Sequence, residues 1–334
     1  MDRELKVNAK FCGFLEGHEG GVTCVATGHP SNNSEDENLL ISGGRDKKLI
    51  LWRFKADTER TTEMFGTPFI SLTGHSNFVS DLSISHQNQF CISSSWDNSI
   101  NLWNLNLGKL IKRISSNQSK KSIFTTTFCS ESRQIFSGGN DNKITMWNTA
   151  GTNKGSPNSN NHTDFVSKIR HSPSLKNKFF ATVGWDGKLK IWNGNYNLLA
   201  SIQAHDAPIY ALAINTNGQY IATGGKDMQL KIWDLKNLRK PFKVYKTDSV
   251  ITDLSFNPEF QWIAITTENS INIYDLSSDA SDAIEVIKPT EKKTKIQGVP
   301  KFTSLAWSSN GKYIFAGASD SLIRVHSVEI VEDN

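Results

Sequence analysis

Three side-chain types that together perform acyl transfer recur along this chain. His18, Ser42 and Asp46 form one set, and His75, Ser93 and Asp97 a second. His162, Thr182 and Asp186 form a third, and His205, Thr223 and Asp227 a fourth. A hydroxyl nucleophile, an imidazole base and an orienting carboxylate are the parts of a hydrolytic triad. Catalysis needs that constellation once, at one special site, whereas here it comes four times with related offsets. Each set also ends on an indole: Trp52, Trp103, Trp192 and Trp233 follow the acid by six residues and the hydroxyl by ten. Carboxylate, imidazole, hydroxyl and indole N–H can satisfy one another in a chain. The sets are therefore read as structural ties between loops, with no catalytic residue among them. The His-to-Asp separation changes with the length of the loop between them, which argues against metal ligation.

Such ties need particular elements around them. Each acid lies in a polar turn between two apolar runs, as in "ISGGRDKKLILW", "SSSWDNSINLW", "TVGWDGKLKIW" and "TGGKDMQLKIW". The arrangement without its histidine occurs in "SGGNDNKITMW", with Ser137, Asp141 and Trp147. Weaker copies are "ITTENSINIY", with Glu268 and Tyr274, and "AGASDSLIRVH", with Asp320 and His326. The seven closing positions stand 41 to 52 residues apart. Seven units of about that period, with Trp-Asp features, mark the four-stranded blades of a propeller. Each His precedes by four residues an aliphatic residue that opens an innermost strand: Val22, Val79, Val166 and Ile209. The expected fold is all-β, a single seven-bladed WD40 β-propeller over residues 1–334. Its units fall near 15–60, 68–108, 110–150, 160–197, 199–240, 242–278 and 298–328. Blades three, six and seven lack the His and are expected to be held more loosely at that corner.

Ring closure is legible at the ends of the sequence. The last unit stops after three strands, at "SLIRVHSV", while "KFCGFL" reads as a strand, near 9–15, with no blade of its own. That amino-terminal strand is expected to complete blade seven and remove an open sheet edge. "HPSNNSEDEN", "GTNKGSPNSNN" and "SDASDAIEVIKPTEKKTKIQGVP" read as inserted surface loops from their Asn, Ser, Gly and Lys content.

Composition narrows the functions. With 334 residues and 37% apolar content, the chain can bury the core of one large ring. A net charge of +4 does not imply coating of nucleic acid, although a local basic patch remains compatible with it. Cys12, Cys24, Cys91 and Cys129 show no CxxC or metal-ligand spacing and fit free buried thiols in a reducing compartment. "MDRELKVNAK" has no apolar signal core, and nowhere do eighteen apolar residues run together. A soluble cytoplasmic protein is expected, with no membrane insertion, metal, cofactor or small-molecule substrate. An enzyme built on a propeller needs one non-repeating polar cluster in its channel, and none stands out.

The wording of the units goes beyond the repeat. "LTGHSNFVSDLSIS", "SSSWD", "SRQIFSGGND", "VGWDGKLKIWN", "TGGKDMQLKIWDL", "SINIYDL" and "FTSLAWS" resemble, in order, blades two to seven of the receptor for activated C kinase family. This is the Gβ-like scaffold of the eukaryotic small (40S) ribosomal subunit. "SGGRDKKLILW" resembles its first blade, whose Arg-Asp-Lys turn touches ribosomal RNA. The resemblance covers essentially the whole chain. It departs at Tyr274 and His326, where the family usually keeps Trp, and at the missing Gly-His of blade three. It implies a non-catalytic scaffold that joins signalling proteins, protein kinase C among them, to translation. The kinase association would carry over to "SINIYDL", Ser270 to Leu276, but a buried strand cannot also present its side chains.

Two groups of cations then gain a reading. Arg45, Lys47 and Lys48 surround the blade-one acid. Lys109, Lys112, Arg113, Lys120 and Lys121 follow in a stretch with no acid between Asp97 and Glu131. On a propeller rim such charges suit phosphates held in a defined RNA fold, where backbone contacts position the partner. Ribosomal proteins would be the neighbouring contacts. Trp96 and Trp185 sit just before two of the acids, where the ties do not need them, and are candidates for anchoring a protein partner.

Alternatives from other classes are weaker. A heterotrimeric G-protein β subunit needs a helix of several turns ahead of its propeller, and the first Gly-His arrives at residue 17. A signalling adaptor unattached to ribosomes, or a ubiquitin-ligase substrate receptor, shares the fold; the receptor usually adds a motif that is not recognisable here.

Overall fold

The computed structural model describes residues 6–29, 39–54, 64–115, 121–129, 131, 133–157, 160–174, 178–195, 197–278, 280–292 and 299–331. These residues form seven antiparallel four-stranded sheets, the blades of one ring. The innermost strands are Val22–Thr27, Val79–Ile84, Ile123–Phe128, Val166–His171, Ile209–Ile214, Ile251–Phe256 and Phe302–Trp307. The closing sheet pairs Lys6–Glu16 with Leu322–Val331, so the amino-terminal strand supplies the outer strand of blade seven. Ring closure through the chain's two ends is thus a fact of the structure.

Continuous apolar runs explain the layers. In "KLILWR" (Lys48–Arg53) the four central residues are buried and the ends are not, as befits a strand packed on both faces between blades. Large apolar side chains from adjacent blades meet in shared clusters; one brings Leu49 and Leu51 of blade one against Leu82, Cys91 and Trp103 of blade two.

The sheets are offset from the sequence units by one strand. Thr67–Thr73, which opens the second unit, pairs with Lys48–Arg53 and is the outer strand of blade one. Two other outer strands lie in stretches that read as insertions. Asn153–Gly155 completes blade three and Glu285–Ile287 completes blade six. Each is only three residues long, and its conformation is fixed by pairing with the third strand more than by its own polar wording. The segment "HPSNNSEDEN" lies almost wholly outside the described residues.

Every innermost strand carries a register shift near its start, between Val22 and Cys24 in blade one and at the equivalent place in the other six. The extra residue is Thr23, Ser80, Phe124, Ser167, Tyr210, Thr252 or Thr303. A bulge re-aims such a side chain, here toward the next blade. Thr23 Oγ1 donates to the Val79 carbonyl at 2.6 Å, Ser80 Oγ to Ile123 at 2.7 Å, and Ser167 Oγ to Ile209 at 2.5 Å. Thr252 and Thr303 repeat the bond to Phe302 and Val22, the last sealing blade seven to blade one. Phe124 and Tyr210 occupy that position in blades three and five.

Candidate functional site

The four His/hydroxyl/Asp/Trp sets assemble. In blade one, His18 Nδ1 lies 2.9 Å from Asp46 Oδ2, His18 Nε2 lies 2.7 Å from Ser42 Oγ, and Trp52 Nε1–H donates to Ser42 Oγ at 2.8 Å. The Ser42 oxygen accepts from the indole, so its own proton points at Nε2, and Nδ1–H donates to Asp46. The tautomer follows from the network. The same chain links His75, Asp97, Ser93 and Trp103, then His162, Asp186, Thr182 and Trp192, then His205, Asp227, Thr223 and Trp233. Glycine makes room: a Cβ on Gly44 would stand 2.6 Å from Asp46 Oδ1 and 2.7 Å from His18 Nδ1. Burial pushes the Asp186 carboxyl up, but bonds from His162 and from the Thr163 and Lys188 amides outweigh it and lower it to about 2. Asp46 and Asp97 are lowered by the same balance. The four hydroxyls are fully buried and the four imidazoles nearly so, which keeps a substrate from reaching them.

The remaining blades differ among themselves. Blade three keeps the Trp147 to Ser137 bond at 2.9 Å, while among the described residues Asp141 accepts from the Lys143 amide alone. Glu268 does not stand in for the missing Asp of blade six. Its hairpin is one residue shorter between the paired ends Thr266 and Ile271 than the blade-five hairpin between Gly224 and Leu230, and Glu268 pairs outside with Lys301 at 2.8 Å. Blade seven is not loosely held. Arg324, fully buried, grips Asp320 with two bonds of 3.1 and 2.7 Å and donates from Nε to the Thr290 carbonyl. The guanidinium takes over the bond that an imidazole makes to the acid elsewhere.

The turns and the His loops open on one face, here the upper face, and most of the cations are on its rim. Arg45 is exposed, with its guanidinium carbon 5.9 Å from the Phe78 ring. Lys47 takes the left-handed position after the acid, φ 69°, where blades two to four place Asn98, Asn142 and Gly187. Lys48 is not free: its ammonium meets Glu19 at 3.0 Å. Arg113 also has a counter-charge, Asp97, at 3.2 Å, and donates to the Gly74 carbonyl. The outer strand Lys109–Ser115 runs antiparallel to Ser99–Asn104 and so brings Arg113 back to the turn, which sequence distance hides. Lys109, Lys112 and Lys121 are exposed, and Lys120 lies outside the described residues. Trp96 is 48% and Trp185 40% exposed on the same face.

The channel holds what sequence inspection missed. A cavity of about 300 Å³ is lined by residues of all seven innermost strands, blade three contributing Thr127 alone. Within the channel, Asp81 receives Arg170 Nη1 at 2.8 Å and Nη2 at 3.1 Å, Lys168 at 3.3 Å and the Thr125 hydroxyl at 2.7 Å. Burial pushes the Asp81 carboxyl up, but Arg170 and Lys168 outweigh it and hold it well below the usual carboxylate range. Asp253 adds a second acid near Arg170 and accepts the Leu305 amide at 3.1 Å. This non-repeating polar cluster exists, against the sequence expectation, because its members come one or two per blade from strands 40 to 90 residues apart. Asp81 and Arg170 join blades two and four across the channel, and their bonding capacity is largely used internally.

Among the described residues no group of His, Cys, Asp and Glu could hold a metal ion, and no helix is long and apolar enough to cross a membrane. Cys24 and Cys91 are buried free thiols, with burial raising Cys24 to about 12; Cys12 and Cys129 are half-buried. "SINIYDL" places Ile271–Asp275 as a third strand buried along its length.

Seven sheets closed by the amino-terminal strand and tied by His/Asp/Trp networks define a WD-repeat propeller. The family described as WD domain, G-beta repeat matches residues 9–53, 66–104, 108–148, 155–193, 196–234 and 294–327. Over 97% of this chain and 98% of its own length, the Caenorhabditis elegans protein named small ribosomal subunit protein RACK1 is 36% identical. Cross-pathway control WD-repeat protein 2 of Flammulina velutipes is 34% identical over 96% of this chain and 98% of its own. The chain belongs to the receptor for activated C kinase family of WD-repeat propellers.

Proposed function

We propose that this protein is a non-catalytic scaffold of the small ribosomal subunit, docked through ribosomal RNA and ribosomal proteins and linking signalling proteins to translation. The observation that carries the reading is full-length similarity to a protein named for that subunit. Blade one supports it. Lys47 holds the left-handed position after the turn acid, which blades two to four fill with Asn98, Asn142 and Gly187 and blades five and seven with Met228 and Ser321, so among the described residues blade one alone puts a cation there. Arg45 and Lys47 lead the contact with phosphates, and Lys112 and Lys121 extend the field toward blade three, whereas Lys109, paired with Asn104 at the strand end away from the turn, stands apart from it. Lys48 and Arg113 contribute less, since Glu19 and Asp97 already neutralise them. The protein works in the cytoplasm, bound to ribosomes, and protein kinase C is one partner that the family's name implies. Those partners use surfaces other than the Ile271–Asp275 strand, which is covered.

Arg45→Asp combined with Lys47→Glu tests the docking. Fold stability changes by less than about 0.5 kcal/mol, as for most surface substitutions. Co-sedimentation with purified small subunits is lost, and wild-type binding weakens steeply as salt rises, since phosphate contacts release counterions. A double variant with a native circular dichroism spectrum that still co-sediments like wild type overturns the proposal.

A further inference from the structure

Six aromatic rings cross the upper face from blade two to blade five in an unbroken line. Phe78 to Trp96 is 5.8 Å between centroids, Trp96 to Phe124 5.9 Å, and Phe124 to Phe165 5.8 Å. Phe165 to Trp185 follows at 4.9 Å and Trp185 to Tyr210 at 6.2 Å. The repeat does not call for these residues. In blades one to five and in blade seven, the residue before the turn acid makes the same backbone bond to the residue ahead of the innermost strand, and these equivalent positions are Arg45, Trp96, Asn140, Trp185, Lys226 and Ser319. Two of the six are tryptophan. Phe124 and Tyr210 stand at the bulge where five other blades place a hydroxyl that bonds to the next blade. Blades three and five thus give up an interblade hydrogen bond, and in its place an aromatic ring joins the line.

The ends of the line are charged. Arg45 leans over Phe78 at one end. Lys226, exposed, holds the equivalent position in blade five at the other. The geometry points to a docking groove for an extended protein segment that carries apolar or aromatic side chains along its middle and an acidic residue at each end. The ring planes decide against single-stranded nucleic acid. Successive rings are tilted by 49° to 76°, so no two neighbours offer the parallel faces on which consecutive bases stack. Such a herringbone surface suits alternate side chains of a strand-like peptide, with indole edges left free as anchors.

The test uses the free full-length protein, so it stands or falls apart from ribosome docking. The probes are fluorescein-labelled peptides of about nine residues, enough to follow the line at ~3.3 Å per residue. They carry aspartate at both ends and Phe, Trp or Leu at alternate central positions, and are read by fluorescence anisotropy. Acid-ended peptides bind; the same peptides with lysine ends do not. Trp185→Ala weakens binding at least tenfold, Trp185→Phe retains most of it, and Lys226→Glu weakens the acid-ended peptides alone. Thermal melts confirm that each variant is folded. The proposal is overturned if no acid-ended peptide binds, if Trp185→Ala binds like wild type, or if labelled oligouridine competes for the groove and depends on Trp185.

Discussion

Replacing Asp81 with Leu removes the carboxylate that faces both channel cations, and the cost can be worked from its surroundings. Asp81 is 1% exposed and receives two bonds from Arg170 and one each from Lys168, the Thr125 hydroxyl and the Thr126 amide. Without it, Arg170 and Lys168 confront each other with Asp253 as the nearby acid. Breaking a buried pair from one side costs about 3–5 kcal/mol, because the remaining charge stays uncompensated. The Arg170 side chain keeps 27% exposure toward the channel, which lets water relieve part of this. The expected loss is therefore at the lower end, about 3 kcal/mol. In a chain of this length each kcal/mol shifts Tm by about 2 °C, so the variant melts about 6 °C lower. Arg170→Met made in the Asp81→Leu background should return part of the loss, since fewer charges are then left unpaired. Urea midpoints for wild type, both single variants and the double complete the cycle. A single variant that melts within 1 °C of wild type, or strictly additive losses in the double, would refute a charge strut across the channel.

Two further outcomes follow from the repeated and the altered corners. Asp186→Ala leaves the His162 ring and two amides without their acceptor and should destabilise the fold by roughly 1–3 kcal/mol, with small-subunit co-sedimentation unchanged for the folded fraction; a stable variant that only loses binding would show the acid to be a contact. His326 is lowered to about 4 by burial and then by the Arg324 charge, so between about 6.5 and that value the unfolded chain takes up a proton that the folded chain refuses. Stability is full above about 6.5 and falls with acidification, by about 2 kcal/mol at pH 5 from this group, and His326→Phe should lose that part of the dependence in urea midpoints compared at pH 7.5 and 5.

The ties were legible because each is written at fixed offsets within one unit: the His four residues before a strand, the hydroxyl ten and the acid six before the tryptophan. Counting failed where backbone geometry changed. Glu268 stands six residues before Tyr274, yet its hairpin is one residue shorter, and its carboxylate ends on the surface with Lys301. Polar wording hid Asn153–Gly155 and Glu285–Ile287, whose strand character comes from the neighbour that each pairs with. The Arg113 pair with Asp97 depends on an antiparallel return, so the stretch without acids between Asp97 and Glu131 did not reveal that this cation has a counter-charge.

The channel cluster and the aromatic line were hidden for a different reason. Each blade contributes one or two members, and a single unit read alone shows only a Lys, an Arg or a Phe in a strand. A ring brings equivalent positions side by side, so what a blade can do beyond folding lies in how its residue at a given position differs from the other six. Asp81, Lys168 and Asp253 share one such position with Cys24, Thr125, Ala211 and Ser304, and opposite charges there bind blades that do not touch in sequence. Phe124 and Tyr210 share the preceding position with five hydroxyl residues, and Trp96 and Trp185 share theirs with Arg45 and Lys226. Repetition in this chain therefore accounts for the fold, and the departures from it, read position by position around the ring, account for the charge strut across the channel and for the aromatic line on the upper face.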